Sequence, residues 1–97
     1  MTSGSWTFLS NHGHVLIALA KEPTARVRDL ADEVGITQRA VQQILANLVD
    51  QGYIVKKKAV RRNEYALVPD THFRHALEAD VRVADFVALV LDAVGPS

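Results

Sequence analysis

The chain of 97 residues contains no cysteine, and its longest apolar runs are short. Without cysteine no disulfide can stabilise the fold, and a reducing cytoplasm is the expected location. The apolar runs at residues 15–20 and 86–91 fall far short of the roughly 18 residues that a membrane-spanning helix needs. No signal peptide with a basic start and an apolar centre opens the chain. We therefore expect a cytoplasmic protein with no membrane partner.

The patterns that catalysis requires are absent as well. The sequence has no cysteine nucleophile, no glycine-rich loop to hold a phosphate and no pair of carboxylates set in a pocket. We expect no enzymatic activity and no cofactor. With 48% apolar and 23% charged residues the chain has the composition of a globular domain. A domain of this size buries only about 60 to 68% of its unfolded surface, which favours a homodimer as a source of additional core.

The net charge is zero, but the charges are strongly segregated along the chain. Residues 1–35 carry three basic and four acidic side chains, and residues 64–97 carry two basic and six acidic ones. Residues 36–63 carry six basic side chains against Asp50 alone, which is a net charge of +5. Because the local field decides where a polyanion binds, zero net charge leaves DNA open as a partner and makes this middle segment the expected surface.

Hydrophobic periodicity and capping residues predict three helices in the first half of the chain. The first begins at Ser10 or Asn11, ahead of an apolar run. The second ends at Gly35, which can adopt the left-handed conformation that closes a helix. The third begins with Thr37 as its N-cap and continues until Gly52.

The second half of the chain is predicted to contain a hairpin and a long helix. Two β-rich runs, residues 53–55 and 65–68, flank a basic cluster and predict a hairpin with a charged tip. Residues 72–94 are predicted to be helical, with an interruption near residues 80–82. The predicted fold is mainly α with a small β-hairpin, in the order α-α-α-β-β-α. We divide it into a flexible tail with an apolar anchor at residues 1–9, a DNA-binding domain at residues 10–69 and a helical dimerisation segment at residues 70–97.

Two short helices joined by a tight turn and followed by a basic hairpin form the arrangement of a winged helix-turn-helix. Ala31 is small where the two helices touch, Gly35 lies where the chain reverses, and Val41 packs the third helix against the second. Together with the charge segregation, this pattern predicts a winged helix-turn-helix domain.

About residues 12–68 resemble the winged helix-turn-helix transcriptional regulators of the MarR and ArsR type. The resemblance is carried by Val27-Arg28-Asp29-Leu30-Ala31, Gly35-Ile36-Thr37-Gln38-Arg39-Ala40-Val41, Leu48-Val49-Asp50-Gln51-Gly52-Tyr53-Ile54 and Arg61-Arg62-Asn63-Glu64-Tyr65. It implies a small single-domain bacterial protein that binds operator DNA as a dimer. The aspartate that accompanies the wing arginine of MarR proteins has no counterpart at Val60-Arg61, and the cysteine-bearing metal motif of ArsR sensors is absent.

The outer face of the third helix is the predicted surface for base contacts. At about 100° per residue its apolar side chains cluster on one side, opposite Arg39, Gln42 and Gln43. Arg39 can pair with guanine O6 and N7, and the two glutamines can pair with adenine N6 and N7. Because Asp50 would repel phosphate, the N-terminal half of the helix is expected to enter the groove, which adds Gln38 to the predicted contacts. The alternative is an ordinary solvated face.

The basic cluster of the hairpin is predicted to contact phosphates or the minor groove. Its members are Lys56, Lys57, Lys58, Arg61 and Arg62. The alternative is an edge strand that lysines protect from aggregation. Five cations within residues 56–62 exceed what such protection needs.

The C-terminal helical pattern has more apolar surface than one small core can use. One predicted stripe, expected to pack on the first helix, consists of Phe73, Leu77, Val81, Ala84, Ala88 and Leu91. The residues predicted to contact a second subunit are Val83, Phe86, Val90 and Val94, together with Trp6 and Phe8 from the N-terminus. The alternative is a monomer with a wide buried face.

Several histidines raise the question of a metal site. At the spacing of a helix, zinc ligands could come from Asp70, His72, His75 and Glu78. The same spacing arises by accident, and Asp70 also fits an N-cap, so we predict no metal. His12 and His14 flank Gly13 without a third ligand nearby and are interpreted as ordinary surface or interface residues.

The leading hypothesis is a dimeric, sequence-specific transcriptional regulator that binds double-stranded DNA. Residues 37–51 would occupy the major groove, and residues 56–63 would lie on phosphates or in the minor groove. The alternative is a winged-helix protein interaction module of a larger complex. The sequence identifies neither an operator nor a small-molecule effector.

Overall fold

Four helices and one hairpin make up the computed structural model, which describes residues 7–58 and 63–94. The helices are α1 (Asn11–Lys21), α2 (Val27–Val34), α3 (Gln38–Asp50) and α4 (Val83–Val94). The strands β1 (Ile54–Lys58) and β2 (Asn63–Leu67) pair antiparallel. The predicted order α-α-α-β-β-α and the mainly α winged helix-turn-helix fold are therefore confirmed. Within the described residues, no helix is long and apolar enough to cross a membrane.

Hydroxyl side chains determine where α1 and α3 begin. Ser10 Oγ accepts a hydrogen bond from the Gly13 backbone N–H at 3.4 Å, and Thr37 Oγ1 accepts one from the Ala40 N–H at 3.0 Å. Each hydroxyl satisfies an N–H group that the first turn of a helix leaves without a partner. Of the two predicted starting residues of α1, Ser10 is therefore the cap and Asn11 the first helical residue.

The turn between α2 and α3 depends on Gly35. Its φ is 87°, a left-handed conformation that L side chains rarely adopt. The Gly35 N–H donates to the Ala31 carbonyl at 2.8 Å, and the Ile36 N–H donates to the same oxygen at 3.1 Å. These bonds close α2 and fix the direction in which α3 leaves it.

The core is built from apolar side chains of all four helices and β1. From α3 it takes Val41, Ile44, Leu45 and Leu48, which is the face that the sequence pattern predicts. Among residues 7–58 and 63–94, no polar or charged side chain is buried. Because one face of α3 fills the core, the opposite face is presented to solvent along the whole helix.

A surface ion pair joins α1 to α2. Lys21 Nζ donates to Glu33 Oε2 at 2.7 Å. The hydrogen bond to Glu33 and the negative charge of that carboxylate raise the pKa of Lys21 above its ordinary value. A raised lysine pKa stabilises the fold below that pKa, so this contribution is lost only when alkaline solution deprotonates Lys21.

The helix predicted from His72 is wrong for residues 72–79, because α4 begins only at Val83, directly after the predicted interruption at residues 80–82. Residues 71–82 form a loop whose two ends pair with each other. The Val83 N–H donates to the Thr71 carbonyl at 2.8 Å, and the Phe73 N–H donates to the Val81 carbonyl at 3.2 Å. Backbone groups that a helix would pair locally are thus satisfied across the loop.

This loop changes which apolar residues reach the core. The partly buried Phe73 packs against the core from the loop, with its ring centroid 5.5 Å from that of Phe86 at an interplanar angle of 78°. Leu77 is 88% exposed, and Val83 is buried. The stripe predicted from Phe73 to Leu91 is therefore not one continuous helical stripe. In the stripe assigned to a partner, which lies within α4, Val83 is buried and Phe86 packs against the core.

Candidate nucleic-acid interface

The predicted base-contacting residues lie together on the solvent side of α3. These exposed side chains are Gln38, Arg39, Gln42 and Gln43. Ala46 follows them on the same side and is also exposed. Its small side chain leaves room for another surface to approach closely. Asp50 lies at the far end of the helix, so the accessible face changes from basic at the N-terminal end to acidic at the C-terminal end.

The register of the hairpin assigns its side chains to two faces. Directly paired residues share a face, and the side chains of a strand alternate between faces. Ile54 is buried and pairs with Leu67, so their face is directed towards the core. Lys56 pairs with Tyr65 on this same face. Lys58 follows two residues later and therefore shares it.

Lys57 lies on the other face of the hairpin. It pairs directly with Glu64, whose negative charge offsets part of its field. The three wing lysines, which the sequence groups together, are thus divided. Lys56 and Lys58 lie on the face directed towards the helices, and Lys57 lies on the opposite face.

A groove of about 370 Å³ lies between α3 and the hairpin. Its lining consists of Gln42, Leu45, Ala46, Val49, Asp50, Lys56 and Tyr65. Lys56 from β1 and Gln42 from α3 therefore border one common space. The groove joins the two predicted DNA-contacting elements into one continuous surface.

Some predicted residues lie outside the described parts of the chain. Arg61 and Arg62 of the wing and Trp6 of the N-terminus are among them, and the side chain of Val94 is also not described. Of the predicted DNA-contacting residues, the structure therefore describes those of α3 together with Lys56, Lys57 and Lys58.

The residues predicted for a subunit interface lie in different environments. Phe8 is 94% exposed, and Val90 is half-buried. Val83 is 1% exposed within the single chain, so its side chain has no surface left for a partner in this arrangement. Leu89, which the sequence did not suggest, is 68% exposed on α4. Its exposure follows from the packing of α4, because the buried Val83 and Val87 direct the opposite side of the helix to solvent.

The fold does not bring together the residues considered as zinc ligands, which are Asp70, His72, His75 and Glu78. His72 Nδ1 lies 2.7 Å from the Ala79 carbonyl oxygen, and His75 Nδ1 accepts from the Leu77 N–H at 3.0 Å. Because residues 72–82 are not helical, the three-residue spacing does not align these side chains. In the described parts of the chain, no three His, Asp or Glu side chains form a group that could hold a metal ion.

A polar contact that the sequence did not predict ties α1 to α3. His12 Nε2 lies 3.1 Å from Asn47 Nδ2. The side-chain amide of Gln43 donates through Nε2 to Asn47 Oδ1 at 3.2 Å. The i, i+4 spacing of Gln43 and Asn47 is visible in the sequence, but the contact with His12 spans 35 residues and depends on how the helices pack.

Comparison with known proteins supports the same fold. Residues 7–62, more than half of the chain, match the family model described as MarR family. The chain belongs to the MarR family. No curated protein matches it.

Proteins of the MarR family are winged-helix regulators of transcription that bind DNA, and they are not enzymes. This MarR-family chain is accordingly a winged-helix transcriptional regulator with DNA as a partner. The matched residues include α1 to α3, β1 and the segment that follows it, and they end before β2 and α4. Family membership therefore rests on the helix-turn-helix and the first part of the wing.

Proposed function

We propose that this MarR-family chain is a dimeric, sequence-specific regulator of a bacterial cytoplasm that binds double-stranded DNA through α3 and the hairpin. The observation that carries the proposal is the continuous surface on which Arg39, Gln42 and Lys56 lie. At about 1.5 Å per residue, the 13 residues of α3 give a rod about 20 Å long. The diameter of such a helix with its side chains, about 10 to 12 Å, fits the major groove, which is about 12 Å wide.

The two elements have different tasks in this proposal. Arg39 can donate to guanine O6 and N7, and Gln42 can pair with adenine N6 and N7. Lys56 and Lys58 neutralise phosphates of the DNA strand that passes between α3 and the hairpin. Asp50 also borders the groove between α3 and the hairpin and repels phosphates from its own end of it, so the DNA strand passes beside Lys56 and the N-terminal half of α3 enters the major groove.

The proposed dimer is formed through the outer side of α4. Leu89 is exposed there, and Phe8 adds a second exposed apolar side chain near the start of α1. A two-fold axis would relate the two copies of α3, so the operator would be an inverted repeat with half-sites about 34 Å apart.

Selection of duplexes from a random pool, followed by competition binding, tests the proposal. We expect the selected duplex to bind at least about 10³-fold more tightly than a scrambled one. Arg39→Ala and Gln42→Ala should each cost about 1 to 3 kcal/mol on the selected duplex and little on the scrambled duplex. Arg28→Ala is the matched control, because it removes an exposed positive charge from α2 rather than from α3.

Equal losses on both duplexes would show that α3 positions the protein without contacting bases. Absence of any preferred duplex would contradict the proposal and favour the alternative, a protein interaction module. Knowledge of the selected sequence would also test the dimer, because a dimer requires an inverted repeat.

A further inference from the structure

Three polar side chains form a continuous path from the start of α1 to the base-contacting face of α3. Asn47 Nδ2 can only donate, so His12 Nε2, at 3.1 Å, must accept, which requires a neutral imidazole with its proton on Nδ1. Asn47 Oδ1 in turn accepts from Gln43 Nε2 at 3.2 Å. In this arrangement Gln43 Oε1 and the second N–H of Gln43 Nε2 are left for DNA.

Protonation of His12 is incompatible with this arrangement. Imidazole is the side chain that changes charge between about pH 5 and pH 8. The charged ring carries N–H groups on both nitrogens, so Nε2 can no longer accept from Asn47 Nδ2. Rotation of the Asn47 amide by about 180° restores the bond, because Oδ1 then accepts from His12 and Nδ2 points to Gln43. Gln43 must rotate in the same way and accept through Oε1.

We propose that His12 is a positioning residue whose protonation state determines which amide atoms Gln43 presents to DNA. With neutral His12, Oε1 and the remaining N–H of Gln43 can form the bidentate pair with adenine N6 and N7. With charged His12, Oε1 is engaged by Asn47, and the free amino group suits the acceptors of guanine or the O4 of thymine. The base preference at this one position therefore depends on pH. The inference rests on the proposed function, because it requires α3 to lie in the major groove.

The surroundings of His12 allow this exchange. Within residues 7–58 and 63–94, no ion pair closer than 4.0 Å involves His12. Besides His12 itself, the charged and titratable groups on α1 and on the elements packed against it are His14, Lys21, Arg28, Asp29, Asp32, Glu33, Arg39, Asp50, Glu64, Tyr65, Asp85 and Asp92. Glu33 is engaged by Lys21, Asp85 by Arg82, and Asp50 accepts a hydrogen bond from Gln51. Among the described hydrogen bonds, that from Asn47 is therefore the one that depends on the charge of the ring.

The first experiment needs no DNA. Side-chain amide and imidazole resonances are followed by NMR from about pH 8 to about pH 5. The amide of Gln43 should shift with the same midpoint as the His12 ring. In Asn47→Ala, the amide resonances of Gln43 should no longer follow those of the His12 ring. His14→Gln is the matched control, since His14 contacts Asn11 of its own helix at 3.3 Å, and this variant should leave the response of Gln43 intact.

The second experiment measures base preference. The position that Gln43 contacts is identified as the base pair at which Gln43→Ala loses discrimination. For the wild type, the preference for adenine at that position should fall by about tenfold, or about 1.4 kcal/mol, between about pH 8 and about pH 5. His12→Gln keeps a hydrogen-bonding side chain without a titratable charge, so its preference should be the same at both pH values.

The Asn47→Ala variant distinguishes the hydrogen-bond relay from His12 through Asn47 to Gln43 from a simple effect of the charge on His12. A protonated His12 attracts phosphate in this variant as well, so total affinity should rise at low pH while base preference stays constant. A wild-type preference that does not change with pH, or a change that persists in Asn47→Ala, overturns the relay. If no duplex is preferred at any pH, the proposed function fails and the DNA part of the inference fails with it, whatever the NMR titration shows.

Discussion

Lys56 and Lys57 are adjacent in the sequence, yet the structure predicts different effects of replacing them. Lys56 borders the groove between α3 and the hairpin, whereas Lys57 lies on the opposite face, across from Glu64. A DNA strand that follows the groove therefore meets Lys56. Each phosphate contact on duplex DNA contributes about −0.9 to the slope of log K against log salt concentration. Lys56→Ala should reduce this slope by about 0.9 for each protomer bound, and Lys57→Ala should reduce it much less.

The difference is large enough to measure. Between about 50 and 200 mM salt, a slope of 0.9 corresponds to about 3.5-fold in affinity, and two such contacts in a dimer correspond to about twelvefold. Over this range of salt concentration, the affinity of the wild type should therefore fall by this additional factor compared with the affinity of Lys56→Ala. The change should be the same on selected and scrambled duplexes, because phosphates carry no sequence information.

Fluorescence anisotropy with a labelled duplex, repeated at several salt concentrations, gives the slope for each variant. Lys56→Arg is the control that keeps the charge, and it should keep the wild-type slope. Thermal unfolding of each variant shows whether the hairpin remains folded. Identical slopes for Lys56→Ala and Lys57→Ala, or a larger effect of Lys57→Ala, would refute the assignment of the DNA strand to this groove.

Three further predictions concern assembly and stability. Leu89→Asp should convert the proposed dimer to a monomer in sedimentation and reduce affinity for a two-half-site duplex by orders of magnitude, and a monomeric wild type would contradict this. Leu45→Ala should lower the free energy of unfolding by about 2 to 5 kcal/mol in urea denaturation, while the exposed Leu77→Ala should change it by less than about 0.5 kcal/mol. Similar costs at the two sites would contradict the core assignment. Gly35→Ala should cost about 1 to 2 kcal/mol in the same measurement, because a Cβ there meets open space but the φ of 87° is strained. A neutral or stabilising effect would show that the turn does not require this conformation.

Much of α3 could be predicted because its signals are local. Thr37 precedes an apolar pattern of helical period, and Gly35 supplies the turn before it. These features act within a few residues, so the sequence alone determines the start of α3 and which face is exposed. The family resemblance of residues 12–68 agrees with the family match over residues 7–62, because both depend on these local features of the sequence.

The features that the sequence could not show depend on contacts between distant residues. The apolar spacing of residues 72–82 is compatible with a helix, but pairing of Thr71 with Val83 and of Phe73 with Val81 stabilises a loop instead. The division of Lys56, Lys57 and Lys58 between the two faces of the hairpin can be assigned only when its register is known, and the backbone pairing of β1 with β2 determines that register.

The separation of core and solvent faces on α3 has an evolutionary consequence. No described side chain on its outer face belongs to the core, and the core side chains of α3 are all apolar. Substitutions at outer positions such as Gln42 should therefore change stability by no more than about 0.5 kcal/mol, provided that they preserve the helix. After gene duplication, one copy could acquire a new operator through successive single substitutions without passing through an unfolded intermediate. Selection on the regulated gene and selection on folding would then act on different residues of the same helix.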